Sequence, residues 1–237
     1  MSLVVTIYVP SGIVMAADSR MTVLRTEDRG ESGQKVRVQQ QLVLSDSAYK
    51  IVKLRTVPAG IGVYDSGIID NQPVESHVRR FEEEALTTVD DVNAVAQKFL
   101  EYFQSNHKGV ALGFHVAGYK LEGKASVPYV LVGHTIHEPQ VPRINATAEG
   151  DLQYGVVRAG DVLVANRLID VNSLPLFAAM PLQEAIDYAV HLIRTTIDTL
   201  RFEPRFPTVG GPIDVMALQP EGMHWVQRKE LRGEARN

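Results

Sequence analysis

A chain of 237 residues, 45% apolar and 22% charged, is long enough to bury a core of its own and too apolar for intrinsic disorder. A formal charge of −4 with no basic stripe argues against nucleic acid as a partner, and a cysteine count of zero excludes disulfides, thiolate metal sites and a thiol nucleophile. No apolar run reaches the roughly 18 residues of a spanning helix, and no signal-peptide pattern opens the chain. The expectation is therefore a soluble cytoplasmic protein without a membrane partner.

In chain order, Leu3 to Val9 is β-branched and apolar, Pro10-Ser11-Gly12 is a turn cluster and Ile13 to Ala17 is a second apolar run, which together predict a β-hairpin. A polar excursion follows at about 25–41, read as a loop or an extended hairpin within one domain spanning 1–237. "NQPVESHVRRFEEEALTTVDDVNAVAQKFLEYF" predicts two helices. In the second, Thr88 three residues before Asp91 suggests an N-terminal cap, and Val92, Val95, Ala96, Phe99 and Phe103 share one face. Strands are expected over 111–117 and 129–132 and a short helix in "RAGDVLVANRLI". A long helix follows with Ile186, Ala189, Ile193, Ile197 and Leu200 aligned and Pro181 near its start, and "IDVMAL" with "MHWVQR" forms a closing hairpin. Strands, helices, strands, helices, strands in that order predict two stacked sheets with helices outside.

The chemistry concentrates in the first hairpin. "GIVMAADSRMT" resembles the corresponding strand and turn of proteasome β-type subunits and their bacterial relatives in the N-terminal nucleophile (Ntn) hydrolase superfamily, where the acid lies sixteen positions after the nucleophile. Counting back from Asp18 gives 18 − 16 = 2, the serine behind Met1. The resemblance implies an α+β fold, a four-layer αββα sandwich of two antiparallel sheets flanked by helices. It also implies a peptidase or amide hydrolase in which Ser2, after loss of Met1, attacks through its hydroxyl while its own amine serves as base. "AYKIVKL" is similar to the family's lysine strand, matching Lys50, with Lys53 as competitor. The oxyanion donor is then a backbone N–H of Asp65, Ser66 or Gly67 in "YDSG", and Met21, Ala48 and Val52 match pocket walls.

The likeness extends through "HVAGYK", "PYVLVGH", "QYGVVRAG" and "TVGGPIDVMAL", with two departures. Val156 stands where a serine is usual, and Glu203 or Thr208 where an aspartate is usual. Further implications are a peptide or amide substrate, a homo-oligomeric ring, a regulatory ATPase partner that the sequence does not identify, and no metal or organic cofactor. Rival readings are a non-catalytic assembly subunit that keeps Met1, and a small-molecule amidase. Against a metal, His134 and His137 in "HTIH" would point to opposite faces of a strand. The "GIG" at 60–62 reads as close packing of strands rather than a dinucleotide loop.

Overall fold

The structure, a computed structural model, describes residues 2–29, 36–137, 139–169 and 173–230. In chain order its strands are β1 (Leu3–Val9), β2 (Gly12–Ala17), β3 (Met21–Arg29), β4 (Val36–Ser45), β5 (Ile51–Lys53), β6 (Ala59–Asp65), β7 (Ile68–Ile69) and β8 (Gln72–Pro73). Helices α1 (Val74–Ala85) and α2 (Val92–Asn106) follow, then β9 (Leu112–Glu122), β10 (Ala125–His134) and β11 (Gly155–Gly160). Helices α3 (Leu163–Leu168) and α4 (Leu182–Leu200) precede the closing pair β12 (Asp214–Gln219) and β13 (Gly222–Gln227).

Two antiparallel sheets dominate, ordered β11-β1-β2-β12-β13 and β10-β9-β6-β5. Apart from Thr6, strand β1 is apolar on both faces because both are covered. Leu3, Val5 and Ile7 face Ala185, Ala189 and Ile193 of α4, while Val4 and Tyr8 face the second sheet with Ile51, Ala117 and Val130. The second sheet turns Ile61, Phe114 and Val116 toward Phe81 of α1 and Phe99 and Phe103 of α2. The result is a mixed α+β sandwich with helices on the outer side of each sheet.

Gly60 and Gly62 permit the sheets to approach: a Cβ at Gly62 would lie 2.9 Å from Val4 Cγ1, and one at Gly60 would collide with Met216. Between the sheets sits a buried polar pair, His115 Nδ1 and Thr6 Oγ1 at 3.0 Å. Burial of the ring drives the His115 pKa down to about 4.

The helix-capping expectation is corrected. Asp91 itself caps α2, its Oδ1 accepting the Ala94 N–H at 2.9 Å, while Thr87 and Asp90 close the preceding turn. Strands β9 and β10 run beyond the expected 111–117 and 129–132, because their hairpin tip carries exposed polar residues that hide the apolar signal. The described part of the polar excursion pairs as β3 with β4, outside both main sheets. Arg20 anchors its base, gripping both oxygens of Asp46 at 2.7 and 2.9 Å.

Candidate active site

Pairing of β1 with β2 sets Val4 against Ala17, so Asp18 emerges beside the start of the first strand. There its carboxylate, 1% exposed, collects four donors. Oδ1 accepts the Leu3 N–H at 2.9 Å and the Lys50 ammonium at 2.6 Å; Oδ2 accepts the N–H groups of Arg20 at 3.1 Å and Gly210 at 2.9 Å. That occupies the lone-pair sites of a carboxylate and holds it in one orientation. Lys50 comes from the other sheet, just ahead of β5, and is 5% exposed. Burial lowers its pKa from the ordinary lysine value, Asp18 opposes that by charge and hydrogen bond, and Lys229 and Arg20 add to the lowering. Lys53 is elsewhere, donating to the Met223 carbonyl at 2.7 Å.

Ser2 is 6% exposed at the mouth of the same region. Its carbonyl accepts the Asp161 N–H at 2.7 Å. The approach depends on Gly160, whose φ of +91° is costly for other residues and whose Cβ would strike the Ser2 carbonyl. The Asp161 carboxylate is buried and takes the Thr208 hydroxyl and the Arg205 guanidinium. Burial, the largest influence, pushes its pKa up, but Arg205 and Thr208 together outweigh it and leave the net value below the ordinary one. Met1 lies outside the described residues.

A cleft of about 220 Å³ gathers Ser2, Lys50, Met21, Ala48, Asp65, Ser66 and Gly67 in its lining, with Arg20 and Tyr49. Asp18 sits directly behind Lys50. Val52 is not in the lining and is corrected: adjacent positions of β5 face opposite ways, so Ile51 enters the layer between sheets and Val52 the core under the helices. Asp65 ends β6 with φ +70°, a left-handed conformation usually given to glycine and tolerated by aspartate. Its carboxylate meets His134 Nε2 at 3.1 Å, and the Ser66 hydroxyl donates to the Ala111 carbonyl at 2.7 Å.

His134 closes β10 and the turn beyond it folds back, so the His134 and His137 rings lie 4.5 Å apart rather than on opposite faces. Among the described residues no group of three or more His, Asp or Glu is arranged to hold a metal.

The sequence reading missed Asp161 and Arg205. Val156, which it marked as a departure, pairs with Ile7 and lies away from Ser2, whereas Leu3 pairs with Gly160. Glu203 reaches the site only through Arg205, at 2.6 Å. The available signal was the "RAGD" turn, where a glycine and an acid precede a helix.

No protein-family model and no curated protein matches the chain. Solved structures do. A Gly-1 mutant of Anbu from Hyphomicrobium sp. strain MC1 superposes with a TM-score of 0.64 at 16% identity, covering 100% of this chain and 89% of that one. The fold is similar to that of Anbu. A second structure, Anbu from the same strain in another crystal form, gives 0.57 at 16% identity over 96% of this chain and 88% of that one. Anbu is a bacterial proteasome-like protein of a different family from the proteasome β subunits, which corrects the resemblance drawn from the first hairpin. The motifs behind that resemblance are short segments scattered along the chain, whereas the match to Anbu covers 100% of it.

Proposed function

We propose that this chain is an amide hydrolase, built as one domain on the αββα Ntn arrangement, in which Ser2 is the nucleophile once Met1 is removed. The observation that carries the proposal is the double grip of Asp18 Oδ1 on the Leu3 N–H and the Lys50 ammonium. One carboxylate thereby fixes the residue next to Ser2 and a buried cation that lines the same cleft.

The freed amine of Ser2, with a reference pKa near 8, takes the hydroxyl proton as Oγ bonds to the substrate carbonyl carbon. It passes that proton to the leaving nitrogen as the C–N bond breaks, which leaves an ester on Ser2. Water then attacks the ester, gives its proton to the same amine, and the hydroxyl is restored. Lys50 lowers the amine's pKa and favours negative charge at Oγ, while Asp18 keeps the lysine oriented. The turn at Asp65, Ser66 and Gly67 supplies backbone N–H groups to the oxyanion, and Met21 and Ala48 offer apolar contact to a peptide side chain. Likeness to Anbu supports this reading by analogy of fold.

A closed homo-oligomer is part of the proposal. It is supported by large apolar side chains in solvent, among them Leu24 on β3, Leu44 on β4, Leu176 and Phe202. The test is intact mass together with cleavage of a fluorogenic peptide: full retention of Met1 with no cleavage selects the assembly subunit, and cleavage undiminished in Ser2→Ala overturns Ser2 as the nucleophile. A cleft of about 220 Å³, below the usual pocket size of roughly 300–1,000 Å³, favours a second reading in which the substrate is a small amide. Rates that fall steeply as the substrate is lengthened from one residue to six would select it.

A further inference from the structure

A second concavity, about 490 Å³, opens where the edge strands β5 and β13 meet. Four cations line it: Lys53, Arg55, Arg79 and Arg228. Arg79 is neutralised by Glu82 at 3.0 Å, and that same carboxylate also accepts the backbone N–H groups of Arg55 and Thr56. The other three have no such counter-charge. Lys53 donates to a neutral carbonyl, and the Arg228 guanidinium rests 4.8 Å from the Trp225 ring centre and 5.0 Å from that of Tyr49. Among the described residues no carboxylate pairs with Lys53, Arg55 or Arg228.

Three uncompensated cations around one groove, in a chain whose net charge is −4, repel one another and raise the local potential for an anion. Two of them are held in place by contacts that leave their charge unspent, which lowers the entropy lost on binding. Guanidinium forks suit oxyanions, and the wall of Met223 and Trp225 suits an apolar or planar group. A peptide brings one negative charge per acidic residue, spread along about 3.3 Å of chain each, whereas two linked phosphoryl groups bring three or so in the same small volume.

We propose that this groove binds a small organic phosphate with at least two phosphoryl groups, its charge on Lys53, Arg55 and Arg228 and its planar part against Trp225. The site is independent of the hydrolytic reading.

Trp225 is the only tryptophan of the chain and reports on the groove directly. The full-length protein is titrated with metal-free ADP, pyrophosphate, tri-glutamate and sodium chloride at matched ionic strength, by tryptophan fluorescence and by calorimetry. Saturable ADP binding below about 1 mM is expected, tighter than pyrophosphate, with tri-glutamate and chloride giving no saturation. Arg55→Ala and Arg228→Gln should each weaken ADP at least about fivefold with unchanged circular dichroism. Arg55 is exposed, so its variant keeps the test valid if Arg228→Gln disturbs the fold. Binding no better than chloride, equal affinity in Arg55→Ala, or preference for tri-glutamate overturns the site. Pyrophosphate binding as tightly as ADP overturns the assignment of Trp225.

Discussion

Two buried carboxylates, Asp18 and Asp161, hold the beginning of the first strand from opposite sides, and their partners differ in kind. Asp18 accepts the Leu3 N–H and faces a lysine; the backbone of Asp161 donates to the Ser2 carbonyl and its carboxylate faces an arginine and a threonine. Burial lowers the pKa of Lys50 against the pull of Asp18, whereas arginine stays charged throughout. Under the proposed mechanism Asp18 borders the group that tunes the Ser2 amine, and Asp161 borders one that only holds position. On that proposal two similar acids a few ångströms from one backbone segment divide chemistry from support.

The largest effect that would break this contrast is at the chemical side. Ser2→Ala and Lys50→Ala should each lower amide hydrolysis at least about a thousandfold. Lys50→Ala should in addition lose about 3 kcal/mol of stability by leaving Asp18 buried without its cation, whereas Ser2→Ala should be near neutral in urea unfolding. Lys50→Arg, which restores charge but spreads it over a larger planar group than the compact ammonium beside Asp18, should recover stability but stay at least about a hundredfold down in rate. Equal activity in Lys50→Arg and wild type would erase the distinction between the two acids.

On the supporting side, Asp161→Asn should cost about 1–3 kcal/mol in urea unfolding and change the rate less than about tenfold. Its pH dependence has a fixed sign. The folded pKa of Asp161 is depressed, so its stabilisation is present above the unfolded carboxylate value of about 3.9 and is lost as pH falls through the lower folded value. The stability gap between wild type and Asp161→Asn should close only in that acid range; a gap closing near neutral pH would contradict the assignment.

Between those acids and neutrality a different group acts. His115 titrates near 4 in the fold and near 6.5 unfolded, so neutral His115 stabilises above 6.5 and that contribution drains away as pH falls across the window, by up to about 3 kcal/mol. Thermal unfolding followed from pH 7 to 4 should show this slope, and His115→Gln should flatten it. The smallest expected effect belongs to Lys53→Ala, whose rate should stay within about threefold of wild type. Loss of activity there would return the role given to Lys50 to its competitor.

Much of the architecture was legible because local pattern and burial coincide. The continuous apolar run of β1 and the 3.6-residue stripe of α4 announce elements covered on the faces they display. That Ser2, Asp18 and Lys50 lie close together could be expected because a turn and a short strand carry them. Asp161 and Arg205 could not, since their place is fixed by the pairing of Leu3 with Gly160, far apart in sequence. Val52 failed for a smaller reason, a face of β5 that three residues of strand cannot reveal. The basic groove was hidden too, because its cations are scattered along the chain and converge only when β5 and β13 become neighbouring edges.

The bond from the Gly210 N–H to Asp18 spans 192 residues, and it carries a consequence in time. During synthesis at about 5–20 residues per second, roughly ten to forty seconds separate the emergence of the first hairpin from that of its last partner. Until each of them is made Ser2 lacks Asp161, Thr208 or Gly210 to hold its surroundings, and until Gly210 appears the carboxylate behind Lys50 is only partly tethered. A nascent or truncated chain therefore displays the hydroxyl but not the organised charges around it. The long reach of these bonds delays the completed site until Gly210 has been made.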